Sequence, residues 1–189
     1  NEKVLDPSCG TGGFLTVCIE HLKKKAKNVS DYEKIQKNII GWEFKPLPYV
    51  LVNANLMQHD IYDPNIISKD SLSRPLADYG SQDEVDIILA NPPFGGEVSD
   101  NKKNGRAAIV LPDSSLSGLG VKSRIREKLL NEFNLHTIIR LPDSVFKPYA
   151  GVPTNLLFLE KGKKTKEIWF YEHKLPDGYK AYSKTETIK

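Results

Sequence analysis

The 189-residue sequence holds two cysteines, one methionine and four histidines, and each shortage excludes a class of chemistry. Cys9 and Cys18 are too few for a disulfide framework or a four-ligand metal site, and they read as the reduced thiols of a cytoplasmic protein. His21, His59, His136 and His173 are scattered without ligand spacing, so no metal site is expected. No apolar run approaches the roughly 18–20 residues that a membrane span requires. From the opening Asn1-Glu2-Lys3, no secretory leader is expected.

What is present is ordinary for a globular domain: 39% hydrophobic and 27% charged residues, which argues against global disorder. The net charge of +3 hides an asymmetry. Residues 1–97 carry 10 Lys and Arg against 14 Asp and Glu, whereas residues 98–189 carry 17 against 10. An acidic half beside a basic half points to separate places for a cation and a polyanion. A set of solvated faces reads the same numbers equally well.

Short apolar runs bounded by turn residues predict strands at 3–5, 38–44, 85–90, 107–111, 137–141 and 156–159, with a further strand or packed arm at 168–171. Several are apolar on consecutive positions, as in strands covered on both faces of a parallel sheet. Helices are predicted at 13–26, 49–59 and 122–133; in the first, Phe14, Leu15, Cys18, Ile19 and Leu22 recur at three- and four-residue spacing. Strand and helix alternate, which predicts an α/β fold with a doubly wound, mostly parallel sheet. Residues 1–165 are read as the core and 166–189 as a C-terminal strand and arm. One connection is anomalous. Parallel strands at 85–90 and 107–111 need a crossover with a helix, and residues 91–105 contain none, so a segment near 97–104 is expected to be missing. The abrupt start on a strand predicts absent upstream residues as well.

Four motifs carry chemistry. Asp6-Pro7-Ser8-Cys9-Gly10-Thr11-Gly12-Gly13-Phe14 joins the first strand to the first helix, and its glycines permit a tight turn with close approach to a ligand. It is not a P-loop, and Leu15 stands where the dinucleotide fingerprint needs its third glycine. Glu43 ends the second strand, where an acid in doubly wound folds bonds a ribose. Asp60 could accept from an adenine amino group or cap a turn. Asn91-Pro92-Pro93-Phe94 follows the strand at 85–90 directly. Its prolines stiffen a projection with a polar head and an aromatic tip. The Asn91 amide and Pro92 carbonyl offer two acceptors for an exocyclic amino group, and Phe94 offers a stacking face.

Taken together, Asp6-Pro7-x-x-Gly10-x-Gly12, Glu43, Asp60 and Asn91-Pro92-Pro93-Phe94 resemble the amino-methylating DNA methyltransferases. The closer resemblance is to modification (M) subunits of type I restriction-modification systems, which make N6-methyladenine. The runs Gly105-Arg106-Ala107-Ala108-Ile109-Val110-Leu111-Pro112-Asp113 and Thr154-Asn155-Leu156-Leu157-Phe158-Leu159 look like that group's later strands.

The resemblance implies a class I, Rossmann-like fold that uses S-adenosylmethionine. It implies cofactor contacts from Asp6, Ser8, Gly10, Thr11, Gly12, Gly13, Phe14, Glu43 and Asp60, and a target adenine held by Asn91, Pro92 and Phe94. It also implies double-stranded DNA, a specificity (S) subunit and a restriction (R) subunit as partners. Phosphate contacts are expected from Lys102, Lys103, Arg106, Lys122, Arg124 and Arg126. The base must be flipped out of the duplex to be reached. Related Asn-Pro-Pro motifs also serve methyl transfer to ribosomal RNA guanine or to a protein glutamine. A non-catalytic DNA-binding scaffold and a dehydrogenase are further readings, the last disfavoured by Leu15 and by the Asn-Pro-Pro-Phe strand end.

Overall fold

The computed structural model describes residues 2–92, 105–147, 151–179 and 181–182. The expected break at 97–104 therefore lies outside the described residues, as do Pro93 and Phe94. The chain divides into two compact units, residues 1–107 and 108–189.

Unit 1 runs β1 (Val4–Asp6), α1 (Gly13–Lys23), α2 (Val29–Asn38), β2 (Ile39–Glu43), α3 (Pro46–Gln58), β3 (Asn65–Ser68) and β4 (Ile87–Ala90). Its strands lie in the order β3-β2-β1-β4. The registers Leu5↔Ile40, Leu5↔Ile88 and Gly41↔Ile66 are all parallel. The order reverses direction beside β1, so β1 and β4 flank a topological switch point, where doubly wound sheets open a crevice at the carboxyl ends of their strands.

Two of these unit 1 elements, α2 and β3, are absent from the sequence-based expectation. Helix α2 buries only Ile35, so it has little apolar period to read. Polar groups hold its start instead: Asn28 Oδ1 accepts the Asp31 N–H at 3.0 Å, and Asp31 Oδ2 accepts the Lys27 N–H at 3.0 Å. Strand β3 is four residues long and buries only Ile66, too short an alternation to separate from a loop.

Core packing explains why these elements assemble. Helix α1 presents Leu15 and Ile19, and α3 presents Val52 and Leu56, each pair at i, i+4, to Val4, Ile39, Ile61 and Ile66. Each fully buried aliphatic side chain contributes roughly 1.5–3 kcal/mol. The fit is close at Gly41, where a Cβ would lie 2.6 Å from Ile66 Cδ1 and 2.9 Å from Leu15 Cδ1. The missing side chain lets α1 approach β2.

Unit 2 contains the body of β5 (Arg106–Pro112), then α4 (Asp113–Leu116), α5 (Val121–Glu132), β6 (Phe133–Arg140), β7 (Thr154–Lys161) and β8 (Trp169–Glu172), ordered β5-β7-β6-β8. Strands β6 and β7 pair antiparallel, with an irregularity between Leu135 and Thr137. Thr165 closes that irregularity: its Oγ1 donates to Phe133 O at 2.8 Å and accepts the Leu135 N–H at 2.9 Å. Strand β8 pairs parallel to β6. The α/β class and the largely parallel strands agree with expectation.

Candidate functional site

The parallel pairing of unit 1 brings four loops to one edge: residues 7–12 after β1, 44–45 after β2, 69–72 after β3 and 91–92 after β4. Asp6, the last residue of β1, is buried, and its Oδ1 accepts the Ser8 N–H at 3.0 Å. Burial raises its pKa to about 7; the Ser8 N–H works against that rise and the Glu43 charge adds to it. Glu43 spans two loops. Its Oε2 accepts the Gly10 N–H at 2.9 Å, and its Oε1 accepts the Lys45 N–H at 2.7 Å.

The turn itself is built on positive φ at Gly10 (56°) and Gly12 (87°), which only glycine adopts without strain. Gly12 N donates to Cys9 O at 2.7 Å, and the Thr16 N–H, one turn into α1, donates to Gly12 O at 2.9 Å. Asn55 on α3 donates to Thr11 O at 2.9 Å. A Cβ at Gly12 would sit 2.7 Å from Val52 Cγ2, whereas one at Gly10 or Gly13 would meet nothing within 4 Å. The turn is therefore close-packed behind and open in front. Ser8 Oγ is buried with no hydrogen-bond partner among the described residues. An open glycine turn, an orphaned hydroxyl and two carboxylates make a cradle that fits a ligand combining a cation with hydroxyl donors. Phe14 is partly exposed on the first turn of α1.

Asn91 is exposed one residue beyond the fully buried Ala90, and Pro92 is buried. The edge thus presents the Asn91 amide beside the crevice while Pro92 packs inward. Phe94 lies outside the described residues.

Asp60 is not brought to this edge. Its Oδ2 pairs with Lys23 Nζ at 2.8 Å, and Lys23 closes the end of α1 opposite to the glycine turn. Eleven helical residues separate the two by about 16 Å. Asp60 precedes β3, so the parallel topology sets it at the amino end of that strand. The acid at the carboxyl end of β3 is Asp70, which the sequence reading passed over together with its strand. Asp70 Oδ1 accepts the Leu72 N–H at 2.9 Å, and the neighbouring Ser71 hydroxyl donates to Pro7 O, stitching this turn to the one after β1. The Ile66-Ile67 pair followed by Ser-Lys-Asp-Ser was the available signal.

The surroundings of both thiols disfavour the thiolate. Burial, with the charges of Asp6 and Glu43, pushes Cys9 up to about 12, and burial raises Cys18. Of the expected phosphate contacts, Arg106 pairs with Glu2. Lys122 and Arg126 donate to the backbone carbonyls of Ser114 and Gly118, each at 2.7 Å, Arg124 is exposed, and Lys102 and Lys103 lie outside the described residues.

Comparison with known proteins gives a coherent set of similarities. The model of the N-6 DNA Methylase family matches residues 1–104 and 98–189. The chain is 44% identical to the type I restriction enzyme EcoEI methylase subunit of Escherichia coli, over 216 aligned positions that cover 100% of this chain and 44% of that protein. Its structure is similar to that of a modification subunit of a type I restriction enzyme from Vibrio vulnificus YJ016, with a TM-score of 0.86 and 42% identity over 100% of this chain and 46% of that one. The EcoKI M protein matches with a TM-score of 0.74 and 27% identity over 91% of this chain and 44% of its own length. The chain spans less than half the length of these relatives.

Proposed function

The chain belongs to the N-6 DNA methylase family, and on that premise we propose that it transfers a methyl group from S-adenosylmethionine to the N6 amino group of an adenine flipped out of DNA, as the modification subunit of a restriction-modification complex. The observation that carries this reading is the placement of Asn91 at the carboxyl end of β4, across the switch point from the glycine turn that follows β1.

The residues at the edge suit the cofactor's chemistry. Asp6, Ser8 and the 10–14 turn would hold the methionine half, Glu43 the ribose hydroxyls and Asp70, in place of Asp60, the adenine ring edge. When bound, S-adenosylmethionine supplies a methyl group on a sulfonium, which leaves as a neutral thioether. Asp6 and Glu43 contribute negative charge beside that cation. The Asn91 amide oxygen and the Pro92 carbonyl accept the two N–H bonds of the target amino group, which frees its lone pair from the ring. Methylation at that nitrogen would leave the amino group with one proton to lose, and the exposed edge would pass it to solvent. Positioning and electrostatics suffice, with no covalent nucleophile, in keeping with two thiols whose pKa values are raised.

Double-stranded DNA and specificity and restriction subunits are the partners we assign, in the cytoplasm. Among the described residues no helix is long and apolar enough to cross a membrane. We also retain residues 1–165 as the catalytic core, with a crossover that this sequence lacks near 97–104. Two facts support that gap: the family model matches in two pieces that meet there, and the EcoEI alignment needs 216 positions for 189 residues. Membership of the N-6 DNA Methylase family, and relatives named as methylase subunits of type I restriction enzymes, favour DNA over ribosomal RNA or protein as the substrate.

Transfer of labelled methyl to DNA, measured with and without a specificity partner, tests the proposal. Asn91→Ala should abolish transfer yet hold cofactor affinity within a few-fold, because the exposed amide is assigned to the target base and not to the cofactor. Undiminished transfer by that variant would end the mechanism.

A further inference from the structure

Unit 2 holds a cavity of about 480 Å³ whose lining includes Asp113, Ser117, Arg140, Asn155, Phe170 and Glu172. Register explains its floor. Ile138 stands opposite Leu157 and Phe170, and Arg140 opposite Asn155 and Glu172. Residues opposed across strands share a face, so an apolar row and a polar row lie side by side. Asp113 organises the polar row: its carboxylate accepts from Arg140 Nη1 and from Asn155 Nδ2, and its own N–H donates to Pro153 O at 3.0 Å. Phe170 is 75% exposed, an unusual state for an aromatic ring beside a cavity. Leu116 and Ser117 form the α4 wall. Lys122 and Arg126 are held along the backbone of that wall by their bonds to Ser114 O and Gly118 O.

We propose that this cavity takes an unstacked nucleotide of the DNA, other than the adenine methylated at Asn91, with an amino-bearing base against Phe170. Its amino group donates to Glu172, and its phosphate meets Lys122 and Arg126. The inference rests on the DNA-methylating reading above. Asp113 and Glu172 against Arg140 alone leave the interior net negative, which refuses a phosphate and accepts a base edge carrying N–H. The cations on the α4 side supply the phosphate contacts that position without reading sequence. An exposed ring offers a face to any base, and the volume lies in the range of small-ligand sites, roughly 300–1,000 Å³. An arginine-bearing peptide would also suit the two carboxylates, but Lys122 and Arg126 would repel it.

The test is titration of the 189-residue chain with labelled short oligo(dC), oligo(dA) and oligo(dT) by fluorescence anisotropy, without cofactor. Oligo(dC) and oligo(dA) should bind several-fold tighter than oligo(dT), which lacks the exocyclic amino group. Phe170→Ala should weaken oligo(dC) about tenfold, and Phe170→Trp should restore it. Glu172→Gln keeps one acceptor oxygen and should narrow the preference over oligo(dT) while leaving oligo(dT) itself unchanged. Equal affinity for all three oligomers, or parental binding by both Phe170→Ala and Glu172→Gln, overturns the proposal; so does direct binding of a labelled arginine-rich peptide by a chain that binds no oligomer. Methyl transfer by the same variants separates the two readings. Oligomer binding that depends on Phe170 and Glu172, without methyl transfer by the parent, leaves the cavity standing and removes the transferase. Methyl transfer with insensitive oligomer binding does the reverse.

Discussion

Glu43 Oε2 accepts the Gly10 N–H at 2.9 Å, so the residue placed to bind a ribose also fixes the turn that surrounds the cofactor. With Oε1 on the Lys45 N–H, the carboxylate is set before any ligand arrives. Glu43→Ala is expected to lose both the ribose acceptors and the turn's anchor, and to weaken S-adenosylmethionine by more than tenfold. Glu43→Gln retains one acceptor oxygen and should fall between. Calorimetric titration distinguishes the three proteins.

Gly12 combines a φ of 87° with a prospective Cβ contact of 2.7 Å to Val52 Cγ2. Gly12→Ala should destabilise the fold by about 1–3 kcal/mol through backbone strain and overpacking together. Adding Val52→Ala relieves the clash and leaves the strain, so the double variant should lose less stability than the sum of the two single losses. Urea denaturation of the four proteins in the cycle measures this coupling.

Asp6 carries a pH signature. Its pKa in the folded chain is about 7 against about 3.9 for a free aspartate, chiefly because burial opposes the charged form. Between those values the folded state binds more protons than the unfolded state, so stability falls as pH rises through the window. The slope approaches ~1.4 kcal/mol per pH unit at most, and the effect levels off above pH 7. Asp6→Asn should flatten that slope. A sulfonium nearby favours the ionised carboxylate, so cofactor affinity should climb as pH approaches 7 and plateau beyond it. Titrations in buffers of different ionisation enthalpy should register proton release on binding below pH 7, and none in Asp6→Asn.

Two acids compete for one role. Asp60 is tied to Lys23 at the far end of α1, while Asp70 follows β3 on the same edge as Glu43. Asp60→Asn should leave cofactor affinity unchanged, and Asp70→Ala should reduce it by about tenfold, the loss of one hydrogen bond to a partly buried acceptor. Fluorescence or calorimetric titration with the cofactor decides between them, and a reversed result would return the assignment to Asp60.

Asp60 and Asp70 show where local reading stops. Strands β1, β2 and β4 announce themselves by apolar runs, because their side chains are buried or half-buried throughout. Glu43 and Asn91 could then be placed by their positions at strand ends. Strand β3 lies at the margin of its unit, next to β2 alone, so most of its positions face solvent and carry no such signal. Without β3, neither Asp60 nor Asp70 can be assigned to an end of it. Helix α2 escaped notice for a similar reason, since it is held by capping at Asn28 and Asp31 more than by an apolar stripe.

What the sequence by itself determined is the set of covalent and local constraints. Glycines at 10 and 12 permit the turn, Pro92 stiffens the residue before it, and the apolar periods select strands and helices with an α/β order. The tertiary structure alone decided which distant groups meet. Glu43 reaches Gly10 across 33 residues, the Ser71 turn joins the Pro7 turn, and Asp113 gathers Arg140 and Asn155 from two other strands. The physical reason is that hydrogen-bond partners at a sheet's edge are selected by strand order and register, quantities set by core packing and not by the spacing of residues along the chain.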